Sequence, residues 1–187
     1  MTIELSPDAA LIVIDVQRGF DDDTFWGRRD NPDAEANIGR LVQGWRDSER
    51  PIVVVRHDSV SPDSPLDAGG PGNALKDVVA DAPHDLLVSK QVNSAFLGEP
   101  DLDGWLRERG ITQIVLCGIQ TNMCVETTAR MGGNLGYDVI VAIDACHTFD
   151  LAGAGGLSLT AEQLTTATVV NLTGGGFATV AETLELV

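Results

Sequence analysis

Apolar and polar positions along this chain follow two periods in alternation. Ala9–Val16 (AALIVIDV) is a continuous apolar run broken by one carboxylate, Asp15, and predicts a buried central strand. Ala34–Arg50 carries Ala34, Ile38, Leu41, Val42 and Trp45 at helical spacing and stops at Pro51, which predicts an amphipathic helix. Apolar runs at Ile52–Val55, Asp85–Ser89, Ile114–Cys117 and Tyr137–Ile143 predict further strands, with Phe177–Val180 as a short last one. Helical patterns fall between them. A short one covers Ala74–Ala80, and Pro100–Arg109 aligns Leu102, Trp105, Leu106 and Arg109. Past Gly118, Val125, Ala129, Gly132 and Leu135 share a face, and Ala161–Leu172 turns Leu164, Ala167, Thr168 and Leu172 inward. Gln17–Pro32 and Ser59–Asn73 have no period and read as loops, and Leu151–Gly156 as a turn or lid.

Strands alternating with helices call for a parallel, helix-covered sheet with right-handed crossovers. The expected fold is therefore α/β: a three-layer, doubly wound, mostly parallel sheet of about six strands in one domain, residues 1–187.

Composition narrows the classes. The 187 residues are 43% hydrophobic and 21% charged, enough for one large core. Twelve Lys and Arg face 28 Asp and Glu, a formal charge of −16, which repels phosphate backbones and anionic surfaces. No nucleic-acid or membrane partner is expected. No apolar run reaches membrane-span length and the N-terminus lacks a basic, apolar leader, so the expectation is a soluble, cytoplasmic protein. Cys117, Cys124 and Cys146 form no C-x-x-C pair, and His57, His84 and His147 show no metal spacing. Cys117 and Cys146 are read as packing residues.

Three reactive residue types stand at carboxyl ends of predicted strands: Asp15, Lys90 and Cys124. In an open α/β sheet those ends gather on one edge, where ligands bind. Each has a plain alternative: Asp15 as a turn cap, Lys90 as a solvated charge, Cys124 as a small core residue. Together they suit a thiol nucleophile with a base and a cation beside it. Cys124 at a helix start, with Thr121 and Asn122 as possible caps, is expected to favour its thiolate. Phe20, Phe25 and Trp26 are read as pocket walls or loop anchors, and Phe96 as a pocket wall or core plug. His57 is read as a substrate contact or a structural histidine.

These residues lie in segments that resemble a known family. ALIVIDVQRGF, LLVSKQVNSAF and VLCGIQTNMCVETTAR look like the three motif blocks of the isochorismatase-like cysteine hydrolases, which include nicotinamidases, N-carbamoylsarcosine amidohydrolases and isochorismatases. RHDSVSPDSPL and VIVAIDACHTFD extend the likeness along nearly the whole chain. The resemblance implies Cys124 as nucleophile, Asp15 as general base, Lys90 as cation, a cis Ile119–Gln120 bond, and an oxyanion hole from the backbone N–H groups of Gln120 and Cys124. Phe20, Trp26, His57, Phe96 and Asn122 are the candidate substrate contacts. Nicotinamidase-like members carry an Asp-x-His pair that binds a metal; the matching strand end here reads Arg56-His57-Asp58-Ser59. The expectation is therefore no metal and no organic cofactor. The implied activity is thioester-mediated hydrolysis of a small amide or carbamoyl compound, in a homo-oligomer. Vinyl-ether hydrolysis or a non-catalytic binding role are the alternatives.

Overall fold

In the computed structural model, residues 3–187 are described. The apolar runs become parallel strands, the central ones buried on both faces. β1 (Ala10–Ile14) is wholly buried, flanked by β2 (Ile52–His57) and β4 (Gln113–Ile119). Adding β3 (Leu86–Lys90), β5 (Asp138–His147) and β8 (Thr179–Ala181) gives a six-stranded sheet of order β3-β2-β1-β4-β5-β8, every pairing parallel. A separate antiparallel pair, β6 (Leu151–Ala152) and β7 (Ser158–Leu159), replaces the expected turn or lid.

The helices are α1 (Asp23–Trp26), α2 (Ala34–Asp47), α3 (Asp77–Ala80), α4 (Leu102–Glu108), α5 (Glu126–Leu135) and α6 (Ala161–Gly174). α2 buries Ala34, Ile38, Leu41, Val42 and Trp45, as its spacing predicts. The Trp45 indole N–H donates to the Ala9 carbonyl at 2.8 Å, so the largest core side chain leaves no polar atom unpaired. α6 starts with a reciprocal capping box between Thr160 and Gln163 and buries Ala161, Leu164, Thr168 and Leu172, while Ala167 is exposed.

Differences from the expected boundaries have local causes. β5 runs on to His147 because it bulges: Leu116 pairs with Val141, but Gly118 pairs with Cys146. That irregularity hides the strand's second half from any simple periodicity. Loop 17–32 contains the short α1, whose Asp22 carboxylate accepts from the N–H groups of Thr24 and Phe25. α3 begins at Asp77 rather than Ala74, because a tight turn at Pro71–Asn73 precedes it.

The connectivity matters most between β1 and β4. There the strand order reverses direction, and the carboxyl ends of these neighbours part to leave a crevice. Gly118 lets them pass: its φ is +126°, and a Cβ would sit 2.0 Å from the Ile14 carbonyl oxygen. No helix among the described residues is long and apolar enough to cross a membrane.

Candidate active site

Asp15 leaves β1 in a left-handed conformation (φ +53°), a backbone state in which aspartate is several-fold enriched. This turn aims the carboxylate into the crevice instead of along the strand. β3 lies two strands away, and Lys90, its last residue, reaches back under His57 at the end of β2. The Ile119–Gln120 peptide is cis, and the chain then enters a single wide turn, Thr121–Val125, closed by Val125 N–H donating to Gln120 O at 3.2 Å. Such expanded turns are frequent at functional sites. Cys124 sits on it, ahead of α5.

The three side chains meet. Lys90 Nζ donates to Asp15 Oδ2 at 2.5 Å and to Cys124 Sγ at 3.3 Å, and lies 3.1 Å from His57 Nδ1. Asp15 is fully buried, Lys90 is 2% exposed and Cys124 8%. Asp15 Oδ1 accepts no hydrogen bond, and one donor atom each from Asp15, His57 and Cys124 falls within 4.8 Å of the other two. That grouping has the residue types of a metal site, yet the Lys90 ammonium lies against all three and takes the cation's place.

Burial sets the protonation states. It raises the Asp15 carboxyl above the ordinary carboxylate range, against the opposing pull of Lys90. It pushes the Cys124 thiol up as well, and the Asp15 charge adds to that push, outweighing Lys90. Burial and the neighbouring carboxylate therefore favour the neutral thiol at rest, beside the Asp15–Lys90 contact. This corrects the expected resting thiolate: Cys124 is more deeply buried than a helix-start position implies, and an anion is its neighbour. Burial and the Lys90 charge lower His57, so its ring is neutral and Nδ1 accepts from Lys90.

Above the thiol lies a cavity of about 450 Å³. Phe20, Phe25, Trp26, Leu66, Met123 and Phe149 form its apolar wall. His57, Ser64, Asn93 and Gln120 supply polar groups, Cys124 lies at its base, and Asp150 and Leu151 border it. Trp26 is stacked on Phe149 (centroids 5.4 Å, 24°) and tilted on Phe20 (4.9 Å), with its indole N–H bonded to Gly19 O at 2.8 Å.

Of the expected substrate contacts, Phe20, Trp26 and His57 border the cavity and two do not. Phe96 is a core residue stacked on Tyr137 (5.6 Å). Asn122 faces away and accepts from the Thr148 hydroxyl. Neither Asn122 nor Thr121 caps the turn, and the buried Thr121 hydroxyl has no partner. Asp15 and Lys90 are an ion pair, not a turn cap and a surface charge.

Sequence reasoning missed Phe149 and Gln17. Phe149 follows β5 closely enough for its place at the sheet edge to have marked it. Gln17 is buried and donates to His57 O and Asn73 O while accepting from His57 N–H, so it ties loop 59–73 to the end of β2. Nothing in its local pattern signals that.

Residues 9–172 match the Isochorismatase domain family model. The chain is 38% identical over 142 residues to the isochorismatase family protein YrdC of Bacillus subtilis, covering 76% of this chain and 75% of YrdC. It is 36% identical over 146 residues to the ureidoacrylate amidohydrolase RutB of Azorhizobium caulinodans, covering 78% of this chain and 59% of RutB. A crystal structure of an isochorismatase-family protein from Chromobacterium violaceum superposes with a TM-score of 0.92 at 36% identity, covering 100% of this chain and 95% of that one.

Proposed function

This chain belongs to the isochorismatase family of hydrolases, and from that membership we propose that it is a cysteine amidohydrolase, cleaving the C–N bond of a small amide or carbamoyl compound. The observation that carries the reading is the buried contact of Asp15, Lys90 and Cys124 at the base of an open, aromatic-lined cavity. Similarity to an amidohydrolase supports the bond type.

On this reading each group has a task. Substrate enters with its carbonyl over Cys124 Sγ. Asp15, made more basic by burial and holding Oδ1 free of other partners, accepts the thiol proton as sulfur attacks carbon. Lys90 stays in place and holds the emerging negative sulfur at 3.3 Å. The N–H groups of Gln120 and Cys124 receive the tetrahedral oxyanion; donors of this kind typically supply ~3 kcal/mol each. Collapse breaks the C–N bond, and Asp15 returns its proton to the leaving nitrogen. Water, deprotonated by the same carboxylate, then attacks the thioester; collapse breaks the C–S bond, and Asp15 passes the proton to sulfur as the acid departs.

Ammonia release from a panel of small amides, compared between the unaltered protein and its Cys124→Ala and Asp15→Asn variants, tests this. Both substitutions are expected to lower kcat/KM by on the order of 1,000-fold or more, since members of a nucleophile–base set fail together. Undiminished turnover by Cys124→Ala would sink the thiol mechanism.

A further inference from the structure

The cavity wall says what kind of amide it admits. Ten Arg and two Lys make up the chain's 12 cationic side chains, all within the described residues, and none borders the cavity. Cations next to lining residues are committed to partners of their own, Arg18 to Asp77 and Arg29 to Glu35 among them. Arg28 makes paired bonds to Asp150 (2.9 and 3.2 Å) and to Glu162 (2.6 and 2.7 Å). Arg56 is bound to Asp58 at 2.7 Å, and Lys90 lies beneath the cavity, fully engaged with Asp15, His57 and Cys124.

A carboxylate entering this space sheds water and meets no counter-charge. The chain's formal charge of −16 opposes its approach as well. A cation is drawn by that same charge but finds little local partner: Asp150, the carboxylate among the lining residues, already accepts from Arg28 and from the Ala161 N–H at 2.8 Å. What remains is neutral. Phe20, Trp26 and Phe149 pack against one another with ring planes within 36°, and the side of this cluster that lines the cavity is an apolar aromatic surface suited to contact with a flat ring. With Nδ1 accepting from Lys90, His57 carries its proton on Nε2, an uncharged donor at the cavity wall.

We infer that the site selects an uncharged amide with a flat, aryl-like acyl group and discriminates against amides bearing a second, anionic group. The inference rests on the amidohydrolase reading for the word amide, but its selectivity can be read without turnover. Binding of 2-naphthamide and of its carboxylate analogue, 6-carbamoyl-2-naphthoate, is measured calorimetrically on the Cys124→Ala protein. The neutral compound is expected to bind tighter by on the order of 100-fold, at least the rejection an apolar pocket shows towards one added polar group. Adding Phe25→Arg places a cation at the lip, where Phe25 is 53% exposed and a substitution leaves the core intact. That change is expected to narrow the ratio to roughly tenfold or less.

Equal or tighter binding of the carboxylate by the Cys124→Ala protein overturns the inference, as does binding of neither compound below millimolar concentration. Selective binding with no hydrolysis of either by the unaltered protein would leave the inference standing and remove the amidohydrolase mechanism.

Discussion

Asp15 and Lys90 are both sealed from solvent, and a charge so placed loses hydration worth several kcal/mol unless a partner replaces it. Their 2.5 Å contact supplies that replacement for Asp15 Oδ2 and leaves Oδ1 for the thiol. The same burial makes Cys124 a weak acid at rest. Reactivity is thus expected to depend on Asp15 removing the proton during attack and not on a standing thiolate. Alkylation of the free protein by iodoacetamide should follow: the Cys124 rate is expected to inflect above the ~8.5 of an ordinary thiol. Asp15→Asn, which removes the adjacent negative charge, should bring the inflection down. An inflection below that of a free thiol in the unaltered protein would contradict this proton inventory. Residue identity was legible here, since strand ends pointed to all three side chains. Protonation was not, because depth of burial and the side chain facing the sulfur are tertiary facts.

At the scale of elements, the apolar periods located five of the six strands well and misplaced what bulges and loops control. β5 was cut short at Ile143 because its bulge shifts the register, and the aromatic wall came from a loop with no period at all. That loop is held by ion pairs. Glu35 on α2 bonds Arg29 at 2.7 Å and Lys76 at 2.7 Å, fastening the segment after α1 and the start of α3 to one helix. Burial alone would raise the Glu35 carboxyl, but His147, Arg29 and Lys76 together hold it far below the usual range. A depressed carboxylate contributes stability that is complete above its unfolded value of ~4.3 and is lost as pH falls towards the folded one. Glu35→Gln is therefore expected to cost roughly 1–3 kcal/mol in urea unfolding at neutral pH, with the deficit shrinking near pH 3. A deficit independent of pH would show that the charge is not what fastens the loop.

Across the whole molecule, strand order does the work that no single segment can. The reversal between β1 and β4 opens the crevice, and reach across β2 brings Lys90 to Asp15, 75 positions away. The alternation of strands and helices made the α/β class legible, and three motif blocks in order pointed to the family. Phe96 and Asn122 were misread because a strand-end neighbourhood does not fix which way a side chain points: one packs under α5 near Gly132, the other turns to Thr148. The proposed mechanism requires that the Cys124 sulfur become acylated by the substrate. Acid-quenched turnover followed by peptide mass analysis tests it most directly. The peptide containing Cys124 is expected to carry the mass of the acyl group during steady state, and the Asp15→Asn protein to show none above background. Steady turnover with Cys124 unmodified at every time point would contradict the account.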